Sequence, residues 1–280
     1  MARTRWGFGI AAAVPVGVTR ATARATEALG YDSFWVNDTP DGDGLAALAE
    51  AAQVTTTLAL GVGVIALSRR DPASIIAQIY GQDPASGRAS GGGTPTSPIL
   101  PLDRLLLGVG SGTGGPGALA RVRDGVRALK EALAVQVYIS ALGPNMCELA
   151  GEVADGVLFN WLTPDYARQS AEWVRASAAR AGRPTPTLAA YVRVALGDDA
   201  TARLRSEGDR YARIPAYSAH FARMGVEPFM TAVAGTSADA IREGLAAWDG
   251  VLDLVVVRAI TAQDTVEETL TLAQAVAPQP

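Results

Sequence analysis

Few side chains in this 280-residue chain could do chemistry by themselves, and they lie far apart in sequence. Asp38 closes the phrase Ser33-Phe-Trp-Val-Asn-Asp38 and precedes Thr39. A carboxylate at such a strand end either takes a proton from a substrate or caps the turn after it. His220 is the only histidine, and imidazole is the side chain whose ordinary pKa lies nearest neutrality. It either meets substrate together with Tyr211 or Tyr217, or it packs as a structural group. Arg258 ends Leu252-Asp-Leu-Val-Val-Val257, where a guanidinium clasps a phosphate or serves a structural ion pair. Arg193 lies along the preceding apolar run and is a lesser candidate. Asn160 and Trp161 end another such run, and Trp161 either walls a substrate pocket or fills the rim. Finally, Ser140-Ala-Leu-Gly-Pro144 leads into a helix at about Asn145, and the N–H groups and partial positive charge of a helix start suit a phosphate.

Other chemistries are excluded by composition. With one His and one Cys and no HExxH spacing, a zinc or iron centre would have to be all carboxylate. A Ser-His-Asp hydrolase lacks its Gly-x-Ser-x-Gly elbow and a second histidine. The glycines of Gly108-Val-Gly-Ser-Gly-Thr-Gly-Gly-Pro116 permit close backbone approach, but their spacing is not the Rossmann fingerprint. A net charge of −4 offers no basic stripe for nucleic acid. Cys147 has no intrachain partner, so a reducing cytoplasm is the default location and a buried, inert thiol the expected role. No run is long enough to span a membrane. Arg3 and Arg5 before an apolar stretch resemble a signal peptide, but Gly7, Gly9, Pro15 and Gly17 interrupt it, and the chain is read as unexported.

The elements that must position these groups alternate. Strands are expected over 5–13, 32–37, 58–66, 104–110, 135–141, 156–161, 187–196 and 252–258. Helices follow over 18–29 (stopped by Gly30), 44–55, 72–80, 118–133, 143–154, 164–181 and 264–276. A partly helical excursion, 199–234, and a helix over 237–248 precede the last strand. Eight strands in strict alternation with helices, in a chain that is 49% hydrophobic, predict an α/β fold of the (β/α)8 TIM-barrel type. The whole chain, 1–280, is read as one domain. The Gly-, Ser- and Pro-rich stretch 81–98 is expected to be a flexible insertion at the bottom of the barrel, away from the catalytic mouth.

Taken in order, the phrases Trp6-Gly-Phe-Gly-Ile, Leu60-Gly-Val-Gly-Val-Ile-Ala-Leu67, Ser140–Pro144, Glu148-Leu-Ala-Gly-Glu-Val-Ala-Asp-Gly156 and Asp155-Gly-Val-Leu-Phe-Asn-Trp161 resemble the luciferase-like monooxygenase superfamily. Its members are TIM barrels that bind FMN or the deazaflavin coenzyme F420. The closer likeness is to the F420-dependent reductases and dehydrogenases. The resemblance covers Gly7 to about Ile260 apart from 81–98. It implies a bulged third strand with a cis peptide at Gly63-Val64 behind the tricyclic ring. Ser140, Ala141, Leu142 and Gly143 would lie along the ring's edge and side chain, with Asn37 and Asp38 nearby. The remaining candidates rest on position in the chain and not on the resemblance: Arg258 for the cofactor's phosphate, His220 beside Asp38 in catalysis, and Thr39, Trp161 and Tyr217 for substrate. Two departures matter. Asn37-Asp38-Thr39 stands where many relatives have Asp-His, so their imidazole is missing. Thr113 stands where the sugar-phosphate dehydrogenases carry a Glu acid.

The resemblance thus implies hydride transfer between deazaflavin C5 and a small organic substrate, with reduction of a C=C or C=N bond as the first choice. The alternatives are an FMN-dependent monooxygenase of the same fold and a flavin-binding protein without activity. Relatives often pair, which implies a homodimer.

Overall fold

Runs such as Val255-Val-Val257 and Leu105-Leu-Leu107 have too many apolar residues for a strand with one wet face, and they suit a parallel sheet covered on both sides. A computed structural model describes residues 3–82, 97–112 and 114–278 and shows this arrangement. In chain order the first half runs β1 (Arg5–Ile10), α1 (Val16–Ala28), β2 (Ser33–Val36), α2 (Gly44–Ala52), β3 (Ala59–Ala66), α3 (Pro72–Ile79), β4 (Leu105–Gly110) and α4 (Ala118–Ala132). Next come β5 (Gln136–Ala141), α5 (Pro144–Val153), β6 (Gly156–Asn160), α6 (Pro164–Arg180), β7 (Thr187–Leu196), α7 (Asp198–Ala212) and α8 (Pro215–Met224). The chain finishes with β8 (Val233–Gly235), α9 (Ala238–Ala246), β9 (Leu254–Ile260) and α10 (Val266–Ala275).

The sheet closes on itself. Every pairing is parallel, β1 through β7 follow one another, and β9 bonds both β7 and β1. The fold is therefore an eight-stranded (β/α)8 barrel. One strand was not expected from sequence: β8, at the end of the segment 199–234 read as a partly helical excursion, pairs only with the far end of β7, Val194–Leu196. Three residues are too few for a sequence pattern to show. The low-complexity segment 81–98 falls largely outside the described residues, and so does Thr113.

Local chemistry sets the helix limits. Asp43, Asp71, Thr163, Ser237 and Thr265 each cap a helix by accepting a backbone N–H two or three residues into it. Gly30 takes φ +77° just after α1, the left-handed exit that glycine allows. The barrel interior is filled by Trp35, Tyr138 and Tyr191, with Trp35 edge-on to both tyrosines at 5.7 and 6.0 Å. Gly61 and Gly156 make the room: a Cβ on either would lie 2.2 Å from the Trp35 or Tyr138 ring. No described helix is long and apolar enough to cross a membrane.

Candidate active site

Parallel barrels carry their sites where the strands end and the helices begin. A cavity of about 1110 Å³ opens there, walled by residues from the ends of β2 to β6, by Tyr191 of β7, and by α4 and the α7–α8 turn. Of the residues singled out from sequence, Asn37, Asp38, Thr39, Gly63 and Val64 line it, as do Ser140, Leu142, Gly143, Asn160, Tyr211 and Tyr217.

The β2 end is held by its own hydrogen bonds. Asn37 Oδ1 accepts the Ala12 N–H at 2.8 Å and so ties the end of β1 to that of β2. Asp38 accepts from the Arg69 guanidinium through Oδ2, and from Arg70 (2.8 Å) and the Gly44 N–H (3.0 Å) through Oδ1. Its side chain is only 1% exposed. Both oxygens are engaged, so this carboxylate positions β3 and α2 more readily than it accepts a substrate proton. Thr39 is fixed by paired backbone bonds with Gly42.

β3 carries a bulge. Its register with β4 shifts between Val62 and Ile65, and the Gly63–Val64 peptide is cis. Glycine is required around it: a Cβ on Gly63 would lie 2.5 Å from Tyr191 Oη, and one on Gly108 would lie 2.1 Å from the Val62 carbonyl oxygen.

The opposite wall is bare backbone. Gly112, Gly114, Gly115 and Gly117 line the cavity with positive φ, and a Cβ on any of the last three would meet only open space. Beside this loop α5 begins. Pro144 has no N–H, and the first-turn N–H groups of Asn145 and Met146 have no partner within the helix. Arg223 reaches across from α8 to donate to the Leu142 carbonyl at 3.0 Å, and Arg123 stands at the rim in an ion pair with Glu152. Glycine backbone, helix-start N–H groups and two guanidiniums fit a flat, phosphate-bearing group. Nothing in sequence marked Arg123 or Arg223, because α4 and α8 meet this wall only in the folded barrel. Tyr191 did leave a trace: it lies two residues before Arg193 and so shares its face of β7.

Four expected contacts lie behind the wall. Ala141 alternates with Ser140 and Leu142, so its side chain packs outward into the core. Trp161 takes φ +52°, uncommon for a bulky residue, and that turn drives its ring beneath Arg193 and against Tyr211 and Phe221 instead of into the mouth. His220 is 1% exposed; its Nε2 bonds the Trp161 carbonyl at 2.8 Å, and burial lowers its pKa, which suits a neutral clamp on α8. Arg258 sits beside Arg193 across the β7–β9 pairing. Glu207 of α7 meets Arg193 at 2.7 Å; burial pushes its pKa up, but the Arg193 and Arg258 charges outweigh that and hold it below the ordinary carboxylate value. Cys147 is free and buried, and burial pushes its thiol up to about 12.

A sequence model described as luciferase-like monooxygenase matches residues 3–89 and 113–275, so the chain belongs to that family. The 5,10-methylenetetrahydromethanopterin reductase of Methanolobus tindarius is 26% identical over 214 residues, which span 64% of this chain and 61% of that protein. Among solved structures, an F420-dependent secondary alcohol dehydrogenase in complex with an F420-acetone adduct superposes with TM-score 0.72 at 15% identity, over 99% of this chain and all of that one. The oxygenating constituent of 3,6-diketocamphane monooxygenase from Pseudomonas putida, in complex with FMN, gives 0.65 at 16% identity over 99% and 98% of the two chains. Identities this low carry the fold alone.

Proposed function

We propose that this luciferase-like monooxygenase family member is an oxidoreductase that binds coenzyme F420 in the cavity and passes hydride between it and a small organic substrate. The observation that carries this reading is the two-sided cavity, with a glycine and helix-start wall on one side and a tyrosine- and asparagine-bearing wall on the other. The likeness to a methanopterin reductase and to an F420-dependent alcohol dehydrogenase supports the deazaflavin over FMN. When bound, the cofactor supplies or receives the hydride at its C5. The chain's own residues bind, orient and exclude water. Val64 and the backbone of Gly63 would back the ring. Ser140, Leu142 and Gly143 would follow its edge, and the α5 start with Arg223 and Arg123 would hold the phosphate. Reduction of a C=C or C=N bond is the reaction we favour.

The FMN-bound neighbour supports a second reading, a flavin monooxygenase. Fluorescence titration with F420 and with FMN separates the two. We expect micromolar quenching by F420 and much weaker binding of FMN. Tighter FMN binding, with oxygen uptake by the reduced complex, would replace this reading with the second. Binding without turnover across a panel of unsaturated substrates would leave a flavin-binding protein.

A further inference from the structure

Three tyrosines face the cavity, and they differ in where their hydroxyl hydrogens go. Tyr191 donates to the Val36 carbonyl at 3.3 Å, so its hydrogen is already engaged. Tyr217 is bonded the other way round. Arg193 has only donors, and its Nη1 lies 2.6 Å from Asn160 Oδ1, which fixes which end of that amide faces which way. The Asn160 NH2 group is thereby turned to Tyr217 Oη, 3.3 Å away, and it can only donate. The phenol oxygen accepts, and its hydrogen must point elsewhere. Among the described residues none accepts it, and the cavity is the space it borders.

The direction is held from behind. Arg193 is 4% exposed, its Nε bonds Glu207 at 2.7 Å, and its guanidinium lies 3.7 Å over the Trp161 ring. Burial raises the Tyr217 pKa, which keeps the phenol a neutral donor. Tyr211, edge-on to Tyr217 at 4.6 Å, has no comparable partner among the described residues to set its hydroxyl.

We propose that Tyr217 donates a hydrogen bond into the cavity and selects substrates that carry an acceptor, a carbonyl or imine, conjugated with or part of the bond to be reduced. Asn160, Arg193 and Glu207 act as positioning residues that aim this donor. The inference rests on the cavity being the substrate site, and it sharpens the proposed reaction: a donor fixed at the heteroatom withdraws electrons from the carbon that would receive hydride. It also fits the absence of an imidazole after Asp38, because a polarising phenol stands in the wall instead.

A matched pair of probes tests it. Cyclohex-2-enone and its isostere 3-methylenecyclohexene, in which CH2 replaces the carbonyl oxygen, are titrated by NMR against the full chain, with and without F420. The wild type should prefer the enone. Tyr217→Phe should reduce that preference about tenfold, the worth of one such hydrogen bond. Asn160→Asp places an acceptor opposite the phenol, turns its hydrogen away from the cavity, and should lose the preference equally while the tyrosine remains. A role of Tyr217 in packing alone would leave Asn160→Asp like the wild type, and that result overturns the proposal. So does a wild type with no enone preference, or a preference that survives in Tyr217→Phe. Both variants should still quench F420 and unfold in one cooperative transition, which shows that the fold and the cofactor wall are intact; the midpoint of Asn160→Asp shifts with the charge added beside Arg193. Enone preference without any F420 binding would remove the proposed cofactor and leave this inference standing.

Discussion

Glu207 illustrates how one residue matters in a way its neighbours in sequence do not suggest. It stands between Arg193 and Arg258, two buried guanidiniums made adjacent by the pairing of β7 with β9. Glu207→Gln leaves both positive charges facing each other without a counter-charge. We expect a loss of about 3–5 kcal/mol in denaturant unfolding, partly recovered when Arg258→Met is added. Glu27 acts through hydrogen bonds. Burial pushes its pKa up, but the N–H groups of Thr57, Thr56 and Leu58 and the Thr57 hydroxyl bring it down from 4.5 to about 2. Because the folded value lies below the unfolded one, Glu27 contributes stability above about pH 4.5, and this is lost as pH falls towards 2. Glu27→Gln should therefore be less stable than the wild type near neutrality, and the gap should narrow in unfolding curves as pH falls from about 4.5 towards 2.

At the scale of elements, β3 and β4 fit because Gly108 has no side chain where the bulge presses in. A Cβ there would strike the Val62 carbonyl oxygen, a backbone atom with little freedom to move. Gly108→Ala should cost about 1–3 kcal/mol and weaken F420 quenching together, since the bulge itself lines the cavity. At the other end of the chain, Thr265 and Glu268 form a reciprocal cap on α10. Thr265→Ala should cost about 1 kcal/mol in thermal unfolding and leave cofactor affinity unchanged, because that helix start contributes nothing to the cavity wall. Elements of this kind were legible in the chain: apolar runs of five to ten residues with small or polar ends became strands within two or three residues of the expected limits, and Gly30 marked the end of α1. β8 was not legible, since three residues that pair with a single neighbour leave no periodic pattern.

The whole barrel is the unit that a bound cofactor would stabilise. Its wall draws on six strands, β2 to β7, and on four helices, α4, α5, α7 and α8, so a ligand that holds the native wall and not the unfolded chain raises global stability. F420 at a hundred times its dissociation constant should add about 2.7 kcal/mol and raise the unfolding temperature accordingly, whereas a protein that binds neither flavin would show no shift with either. The site itself was legible only where it follows strand order. Asn37, Gly63, Ser140 and Asn160 lie in the C-terminal halves or at the ends of β2, β3, β5 and β6, so their convergence is a consequence of closure. By itself the sequence determined the barrel, its order and the strand ends that meet at its mouth, because hydrophobic runs and caps are local properties of a chain. Only the tertiary structure decided that Asp38 would be clasped by two arginines, that Trp161 and His220 would turn behind the wall, and that an asparagine would aim Tyr217 into the cavity. Those outcomes depend on backbone handedness at one residue and on hydrogen bonds between strands and helices distant in sequence, which no local pattern encodes.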